Sequence, residues 1–478
     1  MSFRLAPAKP SSVATEAMIA TSQPLATLSG LEILRHDGNA VDAAICAAAV
    51  LCVTEPHATG VGGDLFAVVR DPGGDVLGLD AAGPAPRAAP AEPPARTGPR
   101  SVTVPGAVAG WAALSERFGT LSLDRLLQPA IEFAATGVAA GHHTAEVWRS
   151  APLAPPELGP PPRVGERFRL PELARTLQAI ATDGPSEVYG GPVADAIVDA
   201  TWLGHDDLTR YQPQWVTPLT HTYRGLQVSE LPPPTQGVAA LEALAILGDG
   251  DVDLADQVRA VALALEDALG GVHDGADVSG LLSSEHVERR RGQDVRGAAG
   301  PPGGTVCLCV VDRDGMAVTL LQSLYESFGS GVVAGSTGVV LNNRAACFEV
   351  GGQVAPGRRP YHTLIPAMLT RGDQLVGPFG VMGGFMQAQA HVQFLVELTS
   401  NGMDPQAALD RGRFRVDGDI LELEEPLWES ARELEPLGLR IERSSDSLAF
   451  GGGQAIIVRN GSLFGGSDLR KDGCALGV

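Results

Sequence analysis

One junction constrains this chain more than any other. A glycine- and proline-rich approach, Gly297-Ala-Ala-Gly-Pro-Pro-Gly-Gly304, runs directly into Thr305, and Thr305 opens the apolar run Val306-Cys-Leu-Cys-Val-Val311. The approach cannot continue a helix, and the run after it has the residue types of a buried strand. A cut at the Gly304–Thr305 bond would leave a hydroxyl and a free α-amine on one residue. Such an amine titrates at roughly 7.7–8, so it can serve as a base near neutral pH. A Thr hydroxyl paired with an N-terminal amine is an activated nucleophile. The junction therefore predicts a self-processing amidohydrolase.

The rest of the chain supplies strands and helices for such a strand to pack against. At 478 residues with 44% hydrophobic and 19% charged residues, it can bury a large core. Pro24–Arg35 carries apolar residues at helical spacing with Pro in the first turn. Asn39 is placed to cap a second helix over about 40–53, apolar nearly all round and so buried. Gly60–Gly63 leads into a strand to Arg70, and Asp71-Pro-Gly-Gly74 turns it back through 75–80. Helical patterns fill most of 105–140 and 170–200, with others near 238–247, 387–400 and 405–411. Asp314-Gly315 and Asn460-Gly461 each sit between apolar runs and predict hairpins. Ala/Pro-rich stretches at 81–100 and 151–165 read as extended connections, and 289–304 reads as a mobile linker. Strands gathered in the C-terminal part, joined by those near 65–80 and covered by helices, predict sheets sandwiched between helical layers.

Charge and cysteine usage narrow the partners. A net charge of −21 disfavours nucleic acid and anionic membranes. The six cysteines show no framework spacing, and the first ten residues lack an apolar signal core, so a cytoplasmic enzyme is expected. The longest apolar run, near 43–53, is too short for a bilayer, which needs about 20 residues. Cys307 and Cys309 share one face of a strand but have no second ligand pair at zinc spacing, so they read as small buried hydrophobes. No metal or cofactor is expected. Glu55 and His57 are expected to order the glycine loop that follows them.

Ordered motifs along nearly the whole chain resemble the γ-glutamyltransferase family of N-terminal-nucleophile hydrolases. They are Gly38-Asn-Ala-Val-Asp-Ala-Ala44, Glu55-Pro-His-Ala-Thr-Gly-Val-Gly-Gly63, Val104-Pro-Gly-Ala-Val-Ala-Gly110, Phe328-Gly-Ser-Gly-Val-Val333, Leu341-Asn-Asn343 and Asp468-Leu-Arg-Lys-Asp-Gly473. The resemblance implies a four-layer αββα sandwich of α+β class. It also implies a proenzyme cut into 1–304 and 305–478, fragments that stay associated as one composite domain. By position it makes Thr305 the processing and catalytic residue and Ser323 its supporting hydroxyl. Gly383 and Gly384 become the pair whose amides stabilise an oxyanion.

The substrate clamp departs from that pattern. Ala82 stands where γ-glutamyl-binding members carry Arg, and Cys347 where they carry the acid that holds the α-amine. Tyr325, Asn343-Arg344, Arg359-Pro-Tyr-His-Thr363 and Met382-Gly-Gly384 are instead similar to acylase-like members, including oxamate amidohydrolases and glutaryl-cephalosporin acylases. The resemblance implies a small acidic amide as substrate, with Arg344 on its carboxylate and Tyr325, His362 and Thr363 lining the pocket. Two rival readings remain, γ-glutamyl transfer with glutathione hydrolysis, and a non-catalytic scaffold relative. Self-association as a homo-oligomer is open.

Overall fold

The computed structural model describes residues 9–300 and 303–478. Two seven-stranded sheets form its centre. In spatial order the first contains Cys474–Gly477, Met18–Thr21, Gly304–Val311, Ala317–Tyr325, Asp64–Arg70, Val76–Ala81 and Gln214–Val216. The second contains Ser12–Ala14, Ser462–Ser467, Gly452–Arg459, Gln374–Met382, Ala367–Arg371, Leu226–Glu230 and Leu219–Tyr223. Every pairing within these two sheets is antiparallel.

Strand alternation assigns the layers. In the 304–311 strand, Val306, Leu308 and Val310 face the helices Pro24–Arg35, Ala40–Thr54, Ala107–Phe118 and Leu123–Thr136. Cys307, Cys309 and Val311 point the other way and pack with Phe66, Met368 and Ile456 between the sheets. The second sheet is covered by Gly237–Leu247, Leu254–Gly271 and Met386–Thr399. The result is the four-layer αββα sandwich expected from the sequence. The paired thiols lie in its dry centre, where a Cβ on Gly380 would come within 2.8 Å of Cys307 Sγ.

Local chemistry explains most of the predicted elements. Asn39 accepts from the Val41 and Asp42 amides, and Asp42 returns a bond to the Asn39 amide, closing a capping box on the buried helix. The Asp314-Gly315 and Asn460-Gly461 hairpins form where expected. The expected mobile segment differs at its start. Residues 289–291 are the last turn of Ser284–Arg291, held by Arg290 on Leu263 O and Glu266 and by Arg291 on Ala245 O and Ile246 O. Residues 301 and 302 of that segment, and 1–8 of the N-terminus, lie outside the described residues. No helix among the described residues is long and apolar enough to cross a membrane.

Candidate active site

Thr305 lies where the ladder between the 304–311 and 317–325 strands is irregular. Gly304 pairs with Tyr325 and Val306 with Gln322, so Thr305 faces two residues, Ser323 and Leu324. This bulge turns Ser323 toward the junction. The Ser323 hydroxyl donates to the Gly304 carbonyl oxygen at 2.7 Å, and Thr305 Oγ1 donates to Ser323 Oγ across 3.4 Å. Ser323 Oγ also accepts from the Tyr325 amide at 2.7 Å and from Arg344 Nη2 at 3.3 Å. Tyr325 holds φ at +81°, a costly value for a bulky residue, and this bend brings its amide back onto the serine.

Behind Ser323 is a closed ion-pair network. Arg344 has no exposed side-chain surface. Its Nε donates to Asp64 Oδ2 at 2.9 Å, its Nη1 reaches Thr363 Oγ1 at 3.4 Å, and its guanidinium stacks 4.5 Å over the Tyr325 ring. His362 accepts from the Leu364 amide through Nδ1, which leaves Nε2 to donate to Asp64 at 3.2 Å. Burial pushes His362 down to about 3, and the Arg344 charge adds to that, so the ring is neutral. Burial alone would raise the Asp64 carboxyl, but the His362 hydrogen bond and the Arg344 charge outweigh it and hold it below the usual range.

Gly383 and Gly384 end the 374–382 strand at φ of +125° and +61°. Neither amide donates a hydrogen bond among the described residues. Gly384 Cα lies 3.3 Å from where a Cβ on Gly303 would stand, so the pair abuts the junction. Two N–H groups fixed at a turn beside a nucleophile are suited to stabilise developing negative charge.

A cavity of about 360 Å³ opens beside Thr305, lined also by Gly383, His57, His143 and Lys471. All eight residues singled out from the sequence gather around the junction, but only Thr305 and Gly383 line this cavity. Tyr325, Arg344, His362 and Thr363 are enclosed behind Ser323. The guanidinium expected to be open to a substrate carboxylate is engaged by Asp64. The side chains of Glu55 and His57 do not order the glycine loop either. Backbone carbonyls do that, with Gly60 O accepting from Gly63, Gly62 O from Asn342, and Gly63 O from Gly106 and Ala107. The Glu55 carboxylate bonds Ser22 instead. Sequence reading missed Asp64, His143 and Lys471. One signal for Lys471 was available, because it is one of only two lysines among 35 Lys and Arg residues.

The sandwich, with Thr305 at the start of a central strand beside the Ser323 hydroxyl and the Gly383-Gly384 pair, is the arrangement of the N-terminal-nucleophile hydrolases. The gamma-glutamyltranspeptidase family model matches residues 26–478, and the chain belongs to that family. It is similar to the oxamate amidohydrolase proenzyme of Klebsiella pneumoniae, 34% identical over 98% of this chain and 99% of that protein. It is 29% identical to the acylase ACY 1 proenzyme of Pseudomonas sp. strain V22, over 96% and 93% of the two chains. The crystal structure of a cephalosporin acylase from Bacillus halodurans superposes with a TM-score of 0.92 at 36% identity, covering 100% of this chain and 98% of that one.

Proposed function

We propose that this chain is a self-processing amidohydrolase that cuts its own Gly304–Thr305 bond and then hydrolyses small amides through Thr305. The observation that carries the reading is the relay Thr305 Oγ1, Ser323 Oγ, Gly304 O. As Thr305 Oγ1 bonds to the Gly304 carbonyl carbon, its proton passes to Ser323, and Ser323 hands its own proton to the carbonyl oxygen. Collapse breaks the C–N bond, the nitrogen takes that proton, and an ester joins Gly304 to the Thr305 side chain. Water then hydrolyses the ester, leaving a Gly304 carboxylate and a free Thr305 α-amine.

In the cleaved enzyme that amine serves as the base for the Thr305 hydroxyl. Attack on a substrate amide places an oxyanion against the Gly383 and Gly384 amides. The Thr305 α-amine returns the proton it took to the substrate nitrogen, the C–N bond breaks to release the substrate's amine, an acyl ester stays on Thr305, and water hydrolyses it to the acid. Arg344 acts through Ser323, holding its hydroxyl toward the junction, while Asp64, itself held by His362, holds the guanidinium. Ala82 and Cys347 favour an acylase-type substrate over a γ-glutamyl one, because an α-ammonium would lack its carboxylate partner. The names of the oxamate amidohydrolase and acylase relatives point the same way. All six cysteines are free, which fits a cytoplasmic setting.

The test is denaturing electrophoresis beside a panel of oxamate, a glutaryl anilide and a γ-glutamyl anilide. Wild type is expected to give two bands and to turn over an acidic amide faster than the γ-glutamyl anilide. Thr305→Ala is expected to give one band and no turnover. Two bands from Thr305→Ala would contradict the reading, and a preferred γ-glutamyl anilide would contradict its substrate class.

A further inference from the structure

The glycine pair lies beyond the ladders of its sheet. The Gln374–Met382 strand keeps one backbone partner to its end, with Val381 beside Gly453 and Met382 beside Gly452. On the other edge its pairing with Ala367–Arg371 stops at Phe379. Past that point buried side chains replace the missing strand. His391 Nε2 accepts from the Val381 amide at 3.1 Å, and its Nδ1 donates to Glu230 at 2.7 Å. Gly383 and Gly384 follow, in a positive-φ turn that leads into the Met386–Thr399 helix.

Gln236 reaches this turn from another element. It stands at the N-terminal cap of Gly237–Leu247, where glutamine is not a favoured residue, and its side chain makes no capping bond. A short parallel bridge sets its direction. The Gln236 amide donates to His362 O at 2.9 Å, and the His362 amide to Pro234 O at 2.8 Å. The residue has no exposed surface. Its Nε2 donates to Gly384 O at 3.0 Å and to Thr363 O at 3.0 Å, and its Oε1 accepts from the Tyr361 hydroxyl at 3.2 Å. Both amide protons are used, and the two carbonyls fix which end of the amide is nitrogen. Gly384 O also accepts from the Gln387 amide, and Gly383 O from the Met386 amide.

The other end of this clamp meets the nucleophile's support. Thr363 accepts Arg344 Nη1 on its hydroxyl at 3.4 Å, and Arg344 reaches Ser323. One side chain therefore sets the spacing between the glycine pair and the network behind Thr305. A misplacement of about 1 Å can cost a hundredfold in rate.

We propose that Gln236 is a positioning residue for the oxyanion site: by tying Gly384 O to Thr363 O, it keeps the Gly383 and Gly384 amides turned toward the acyl carbon on Thr305. It touches no substrate and acts through the glycines. The inference rests on the amidohydrolase reading. It makes the clamp matter more for turnover than for self-cleavage, because the Gly304 carbonyl oxygen is already held by Ser323.

Gln236→Met keeps the length of the side chain and removes both donors. Hydrogen exchange read by mass spectrometry reports on the clamp directly, through the Met386 and Gln387 amides that bond the glycine carbonyls. They are expected to exchange at least about tenfold faster in the variant, in line with one lost hydrogen bond. With the amide that wild type cleaves fastest, kcat is expected to fall at least about tenfold, part of the cost of losing an oxyanion donor, while KM stays near its wild-type value. The rate of self-cleavage is expected to fall by less. Leu244→Ala, a core change in the same helix, controls for lost stability and is expected to keep kcat below its melting temperature. Gln236→Glu, which keeps the shape and, when protonated, one donor, repeats the test with a smaller expected loss. Unchanged exchange, a loss confined to KM, or equal losses of turnover and self-cleavage would overturn the clamp. A wild type that cleaves no amide would overturn the amidohydrolase reading, and the exchange rates would still decide the clamp.

Discussion

Ser323 Oγ stands where three donors and one acceptor meet. It takes the Tyr325 amide, the Arg344 guanidinium and the Thr305 hydroxyl, and gives its proton to Gly304 O. Removing this oxygen takes away the proposed proton relay and the hydrogen bond to the Gly304 carbonyl oxygen. Ser323→Ala is expected to slow self-cleavage by about 10²-fold, in the range of a lost general acid–base contact. Ser323→Thr, which keeps the hydroxyl, is expected to retain much of the rate. Time courses of band conversion measure both. Thr305 was singled out by the junction and Ser323 by the family resemblance, and the fold brings the two hydroxyls to 3.4 Å. The engagement of Arg344 was not legible in the sequence, because its partner Asp64 is 280 positions earlier and only the fold joins them. Lys471 was legible as a member of the Asp468–Gly473 motif and as a compositional exception, with no role attached to it.

At the scale of elements, the buried helix Ala40–Thr54 ends at Glu55, and the glycine loop that follows positions the cavity wall. Burial pushes the Glu55 carboxyl up to about 7, with the Ser22 hydrogen bond and the Lys471 charge opposing it. Between about 4.3 and 7 the folded protein keeps a proton that the unfolded chain has released. The stability this contributes is fully present below the lower value and is lost as pH rises through about 7. Glu55→Gln removes that dependence. The melting temperature of the variant relative to wild type is expected to increase from pH 5 to pH 8, and thermal scans at both pH values check the sign. Helices with caps and hairpins with Asp-Gly or Asn-Gly were readable because local residues specify them. The short strands Ser12–Ala14, Met18–Thr21 and Cys474–Gly477 were not, since each becomes a strand only by pairing with a neighbour distant in sequence. The hairpin of Ala367–Arg371 and Gln374–Met382 escaped as well, because Pro378 and Gly377 break the apolar alternation within it.

The whole molecule is woven from the two sides of the proposed cut. The strands 304–311 and 317–325 lie between Met18–Thr21 and Asp64–Arg70, and the second sheet likewise mixes strands from before and after Thr305. Separating the fragments would break both sheets and open the core between them. After cleavage they are expected to co-elute on size exclusion as one species and to part only in denaturant. The αββα order was readable as a class, from where strands and helices cluster. The interleaving was not, because sequence order does not reveal which strands are neighbours. The central claim is that this junction is cut to free Thr305. Intact mass of the denatured protein, with N-terminal sequencing of its smaller fragment, tests it most directly. The expected result is two fragments, the smaller beginning Thr-Val-Cys-Leu-Cys. A single full-length mass that persists on long incubation, or a new N-terminus at any other residue, would contradict it.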